Sequence, residues 1–138
     1  MKYPFPRPSK YELRVRKSKT GHGLFAEEEI PKRRFVIEYW GKIVSDEEAE
    51  KIGGRYLFDL EKGKTINGAN RDNTARYINH SCKANCEARQ IGNRIFIISV
   101  KNIKPGDEIT YDYGKEYVGS YIKPYGCRCT PCEKKLKK

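Results

Sequence analysis

Arg76-Tyr77-Ile78-Asn79-His80-Ser81-Cys82 and, further along, Ile109-Thr110-Tyr111-Asp112-Tyr113 are the two stretches on which the reading of this chain turns. The first sets amide, imidazole, hydroxyl and thiol in consecutive residues. The second sets two phenols two positions apart, which on an extended chain puts Tyr111 and Tyr113 on one side. Each stretch has an ordinary reading. Asn and Ser favour capped turns, so Asn79 to Cys82 reads as a turn with His80 in the core. With Arg76 and Asn85 alongside, it also reads as a polar cradle for a cofactor. Tyr111 and Tyr113 read as core-facing strand residues. They read equally as channel phenols, whose hydroxyls orient an amine and whose ring faces stabilise a cation.

Working outward, Cys127, Cys129 and Cys132 bring three thiols together near the C-terminus. Five cysteines, an odd number, argue against a secreted disulfide framework. A closed structural zinc site takes four tetrahedral ligands, so Cys82 or Cys86 is needed as the fourth. The alternative is a set of free reduced thiols. Gly21-His22-Gly23 allows close backbone approach to a ligand, or simply a turn.

The 138 residues fit one domain, long enough to bury roughly two-thirds of the unfolded surface. Only 37% of residues are hydrophobic, but ten tyrosines, five phenylalanines and one tryptophan add core-forming area. No apolar run reaches the ~20 residues of a membrane span, and Met1-Lys2-Tyr3-Pro4 does not open a signal peptide. These features predict a soluble intracellular protein without a membrane partner. The net charge of +11, from 29 Lys+Arg against 18 Asp+Glu, fits contact with nucleic acid or another polyanion, or a merely well-solvated basic surface. Positive charge gathers at Arg14, Arg16, Lys17 and Lys19, at Lys32-Arg33-Arg34 and at Lys134, Lys135, Lys137 and Lys138. No nucleic-acid module signature accompanies it.

Proline-rich residues 1–10 predict an extended arm. Alternation at Tyr11, Leu13 and Val15 predicts a strand. Gly21-His22-Gly23 punctuates the chain before Leu24-Phe25-Ala26 resumes extended structure. Phe35 to Tyr39 predicts a strand closed by Gly41. Ser45 with Glu48 forms a capping box for a short helix ending before Gly53-Gly54. Tyr56 to Leu60 returns to strand, and residues 61–75 predict loop. Gly92-Asn93 between Cys86–Ile91 and Arg94–Val100 is a two-residue hairpin signal. Pro105-Gly106 marks a turn before Glu108–Tyr113. The sum is a mainly β domain of small sheets with few short helices.

In combination the chain resembles a SET domain, the fold of protein-lysine methyltransferases that use S-adenosylmethionine. The landmarks run in family order: Gly21-His22-Gly23-Leu24-Phe25-Ala26, Glu38-Tyr39-Trp40-Gly41, Tyr56-Leu57-Phe58, Arg76 to Cys82, and Ile109-Thr110-Tyr111-Asp112-Tyr113-Gly114. The likeness extends from about Leu13 to Cys132. It implies a SET β-fold with a pseudoknot-like C-terminal segment. The domains would be an arm at 1–10, the SET domain at 11–120 and a post-SET zinc tail with basic C-terminus at 121–138. Ala84 departs from the family's usual proline after Asn-His-Ser-Cys-x. The Cys-x-Cys-x-x-Cys spacing is shorter than in many members and is similar to the SET-and-MYND branch, which implies zinc on Cys82, Cys127, Cys129 and Cys132. With neither a MYND finger nor pre-SET cysteines, the chain looks like a minimal, stand-alone member.

The resemblance also implies roles. Gly21, His22 and Gly23 would hold the methionine end of the cofactor. Arg76, Asn79 and His80 would hold its carboxylate and adenine, with Tyr56 packed alongside. Tyr39, Phe58, Tyr111 and Tyr113 would line the lysine channel, Tyr113 matching the family's catalytic tyrosine and Tyr39 and Tyr111 completing the catalytic set. A hydroxyl at Tyr111 predicts mainly monomethylation. The substrate would be a lysine-bearing protein such as a histone or another DNA-associated protein, with DNA contact through the basic surface. That implies the nucleus and chromatin in a eukaryote, or the cytoplasm and nucleoid in a prokaryote. A +11 protein repels a basic substrate unless its groove is locally acidic, and Asp46, Glu47, Glu48 and Glu50 offer such a patch. The rival readings are a non-catalytic SET domain and a basic chromatin- or nucleic-acid-binding protein with a structural zinc.

Overall fold

Successive side chains of a strand face opposite sides, and burial alternates most regularly in Arg94–Ser99, where Ile95, Ile97 and Ser99 are buried and Arg94, Phe96 and Ile98 are half-buried. A computed structural model describes residues 6, 8–18, 21–53, 56–60 and 62–112. Most of the expected arm, Tyr113, Cys127, Cys129, Cys132 and the whole 121–138 tail lie outside the described residues. The described chain runs β1 (Leu13–Ser18), β2 (Gly21–Ala26), β3 (Phe35–Tyr39), β4 (Lys42–Ser45), α1 (Asp46–Ile52), β5 (Leu57–Asp59), β6 (Lys64–Asn67), a 3₁₀ turn (Thr74–Tyr77), β7 (Asn79–His80), β8 (Cys86–Ile91), β9 (Arg94–Ser99) and β10 (Glu108–Tyr111).

Two sheets result. The larger has the order β1-β2-β10-β8-β9-β3, with β7 also paired to β10. The smaller has the order β4-β6-β5. The expected mainly β architecture of small sheets with one short helix is what forms. Leu24, Ile30, Val36, Ile78, Ile95, Ile97, Ile103 and Ile109 are buried together at its centre. Each contributes about 1.5–3 kcal/mol relative to an exposed position. Ser99, buried among them, is satisfied: its hydroxyl donates to the Pro31 carbonyl at 2.7 Å and accepts the Arg34 N–H at 2.9 Å. Buried Glu38 meets Arg94 through two bonds of 2.9 and 2.7 Å, clamping β3 to β9 beside Tyr39.

The helix, the β8–β9 hairpin and the turn before β10 follow the local signals. Ser45 Oγ accepts the Glu48 N–H at 3.2 Å. Gly53, at φ 64°, ends the helix with its N–H on the Ala49 carbonyl. Gly92 takes φ 61° between β8 and β9, and Gly106 takes 91° before β10.

Two expectations are corrected. Gly21-His22-Gly23 is no turn: it is the first half of β2, paired along its length with β1. Residues 61–75 are not all loop, because β6 runs through them as the central strand of the smaller sheet. Only Thr65 and Ile66 of that strand are buried, a core too short to show as periodicity in the sequence. Lys62 (φ 63°) and Gly63 (φ 73°) make the positive-φ hairpin turn that leads into it.

Candidate active site

The two stretches that opened the reading lie side by side. β7 runs parallel to β10, pairing Asn79 with Thr110 and His80 with Tyr111. The Ser81 N–H extends the ladder to the Tyr111 carbonyl at 3.3 Å. Asn85 then behaves as a surrogate strand residue: its Nδ2 donates to the Glu108 carbonyl at 2.8 Å and its Oδ1 accepts the Thr110 N–H at 3.0 Å. Ser81 does form the expected turn, its hydroxyl accepting the Lys83 N–H. The turn reading and the cradle reading of Asn79 to Cys82 therefore both contain part of the geometry.

Asn79 is the knot between elements. Its Nδ2 donates to the His22 carbonyl and to Glu108 Oε2, both at 2.8 Å, with Ser18 Oγ close by at 3.2 Å. Acceptors on all sides fix which way the amide points. Its Oδ1 makes no hydrogen bond among the described residues. Gly23 serves this knot, since a Cβ there would come within 2.5 Å of Glu108 Oε2 and 3.2 Å of Asn79 Nδ2.

In front of the knot opens a cavity of about 410 Å³, within the usual range for small-molecule sites. Of the residues expected at a cofactor, Gly21, His22, Tyr56, Arg76 and Asn79 line it. Gly23 and His80 are not among its described lining. Arg71 and Tyr77 line it as well and were not foreseen. Tyr77 sat inside the quoted motif, next to Arg76. Arg71 carried no signal beyond charge in a polar stretch. The Arg76 guanidinium lies over the Tyr56 ring at 4.4 Å and the Tyr77 ring at 4.9 Å, and it also donates to the Ala69 carbonyl. Its Nε is buried with no hydrogen-bond partner among the described residues. Arginines with no carboxylate among the described lining make this cavity suited to an anionic group.

His80 is buried outside the cavity lining. Burial pushes its pKa below the usual histidine value, with Asp112 at 3.7 Å pulling the other way. Its Nε2 is 3.3 Å from Cys82 Sγ. Cys82 is exposed. Cys86 is buried in β8 with its thiol pushed up to about 12 by burial, a structural strand residue. Among the described residues no three His, Cys, Asp or Glu side chains converge on a metal position.

The aromatic residues form a row. The Tyr39 and Phe58 ring centroids are 5.3 Å apart, and Phe58 and Tyr111 are 6.1 Å apart. Tyr39 and Tyr111 are buried. The row and the cavity meet at Tyr56: its ring lies under Arg76 while its carbonyl accepts the Tyr39 hydroxyl at 2.7 Å. The acidic run sits on α1, which packs on the sheet carrying Phe58. There Thr65 Oγ1 joins Asp46 to Asp59, the neighbour of Phe58, at 3.0 and 3.3 Å. On β1, Arg14 and Arg16 share Glu27, which offsets part of that basic cluster.

Comparison with known proteins follows the same line. A family model described as SET domain matches residues 21–114. The chain is 36% identical over 125 residues to histone-lysine N-methyltransferase ASHH1 of Arabidopsis thaliana, covering 81% of this chain and 25% of that protein. It is 42% identical over 104 residues to the Schizosaccharomyces pombe histone-lysine N-methyltransferase named as H3 lysine-4 specific, covering 66% and 11%. It is 34% identical over 128 residues to the one from the same organism named as H3 lysine-36 specific, covering 83% and 16%. The chain thus spans a quarter or less of these relatives.

Proposed function

This chain belongs to the SET-domain family, and from that membership we propose that it transfers methyl groups from S-adenosylmethionine to a lysine of a protein substrate, a histone in the first instance. The observation that carries this reading is the meeting of a cationic cavity and a buried aromatic row at one residue, Tyr56. Such a site needs a cofactor on one side and a narrow amine channel on the other.

S-adenosylmethionine supplies a methyl carbon on a positively charged sulfonium. The residues present fit it. Arg71 and Arg76 offer charge to its carboxylate, Asn79 Oδ1 is an open acceptor, and Arg76 Nε is a buried donor awaiting a partner. Transfer is an in-line displacement, so most of the chain's work is alignment. Tyr39, Phe58 and Tyr111 enclose the amine in a slot whose ring faces tolerate a methylated cation. The same apolar surroundings disfavour the ammonium form of a lysine whose ordinary pKa is about 10.4. Acidic α1 and Asp59 attract a basic segment to the Phe58 side, answering the repulsion expected from the +11 charge. As the family pattern implies, Tyr113 would complete the channel, and Cys82, Cys127, Cys129 and Cys132 would hold a structural zinc.

The direct test is methyl transfer to histone H3, with mass spectrometry at lysines 4 and 36, the positions for which two relatives are named. Wild type is expected to give mainly monomethyl product, and Tyr111→Phe to raise the di- and trimethyl share, because the hydroxyl fills the room a methylated amine needs to turn. Abundant trimethyl product from wild type would refute the product assignment, and no transfer to histones or host lysate would refute the function. For the metal, elemental analysis is expected to find one zinc per chain, lost in Cys82→Ser and on chelation together with transfer activity. A metal-free chain with full activity would remove the zinc reading.

A further inference from the structure

The seat of Tyr39 is built from residues that nothing so far accounts for. The Tyr56 carbonyl accepts two donors, the Tyr39 hydroxyl at 2.7 Å and the Gly68 N–H at 2.7 Å. Gly68 is buried, and a Cβ there would lie 2.5 Å from Tyr39 Cε1, 2.5 Å from its hydroxyl oxygen and 2.6 Å from Cζ. Those atoms belong to a buried ring, which has little room to give. The position of Gly68 is itself fixed. Asn73, fully buried, donates from Nδ2 to the Gly68 carbonyl at 3.0 Å and accepts the Trp40 N–H on Oδ1 at 3.2 Å. Trp40 follows Tyr39 directly. The Asn73 carbonyl also accepts the Arg76 N–H at 3.0 Å, tying the seat to the 3₁₀ turn that carries Arg76 and Tyr77.

We infer that Gly68 is a positioning residue for the transfer reaction: its missing side chain lets the Tyr39 phenol pack against it and reach the Tyr56 carbonyl, which fixes one wall of the amine channel against the cofactor cavity. The inference rests on the methyl-transfer reading for its function, but its physical core does not. The Tyr56 ring lies under Arg76, away from the Gly68 contact, so a side chain at position 68 displaces the channel wall more than the cavity. The expected signature is loss of turnover with cofactor binding retained, since misplacement by about 1 Å costs on the order of 100-fold in rate.

The test is a cycle of Gly68→Ala, Tyr39→Leu and the double variant, read by melting temperature, by S-adenosylmethionine affinity and by kcat on a histone H3 peptide. Leucine lacks the ring atoms that the new methyl would meet. Gly68→Ala alone is expected to lower kcat about 100-fold with cofactor affinity nearly unchanged, and to lower the melting temperature. In the Tyr39→Leu background the same substitution is expected to lower neither further. If Gly68→Ala alone does not fold, the double variant is expected to fold. Additive losses, or a double variant that stays unfolded, overturn the inference. Failure of the wild-type chain to transfer methyl at all would refute the proposed function instead, and the melting cycle would still decide the seat.

Discussion

Asn79→Asp is expected to cut S-adenosylmethionine affinity by about 100-fold or more at neutral pH and to lower the melting temperature. The substitution keeps shape and replaces the NH₂ donor with an acceptor. The His22 carbonyl and the Glu108 carboxylate, both 2.8 Å from Nδ2, would then face an oxygen. Each hydrogen bond so lost costs about 1–3 kcal/mol, and the carboxylate pair adds repulsion. The damage falls on β2 and β7 where they wall the cavity, so binding suffers with stability. A pH titration separates this from simple loss of packing. Protonating the introduced carboxyl restores a donor, which means its pKa in the folded state is raised. The penalty is then full above that raised value, and the variant regains stability relative to wild type as pH falls toward about 4. Asn79→Ala, which removes the donor without adding charge, should lose less and show no such recovery. Near-normal affinity of Asn79→Asp at pH 7 would show that this amide is not what holds the cavity wall.

That knot also shows where the sequence was legible. The hairpin at Gly92-Asn93, the Ser45 cap and the Phe35–Tyr39 strand were readable because each is specified by neighbours in the chain: a turn residue, a capping hydroxyl, a run of β-formers. Five of the residues expected at a cofactor line one cavity. The parallel pairing of β7 with β10 was not readable. A two-residue strand has no period, and its partner lies beyond a whole hairpin. β4 and β6 were missed for a related reason, since one and two buried residues respectively make no pattern.

The glycines mislead in the opposite direction. Gly21-His22-Gly23 looked like punctuation, yet Gly23 is a strand residue whose lack of a side chain makes room for Glu108. Gly68 sat unremarked in a polar stretch, and its requirement comes from a tyrosine nearly thirty positions earlier. Close approach between distant segments leaves no local trace. Arg71 belongs to the same class: charge among charges in the sequence, a cavity wall in the fold.

Tyr113→Phe is expected to lower turnover by at least about 100-fold while leaving cofactor affinity unchanged. A phenol with an ordinary pKa near 10 is a poor base at physiological pH. The amine must lose its proton before attack, and the apolar slot formed by Tyr39, Phe58 and Tyr111 already disfavours its charged form. On the proposed function, what would remain for the Tyr113 hydroxyl is to point the lone pair along the line of displacement and to stabilise charge as it moves. Its removal should therefore reduce kcat at every pH and leave the midpoint of the rate's rise with pH where it was. A base would behave differently, because its loss would abolish that rise. The paired phenol gives the contrast. Tyr111 is buried on β10 with its ring 6.1 Å from Phe58, and on the proposed function it would set room rather than direction. Tyr111→Phe should change which products accumulate, and Tyr113→Phe how fast any product forms. Wild-type turnover in Tyr113→Phe would take the transfer step away from this residue.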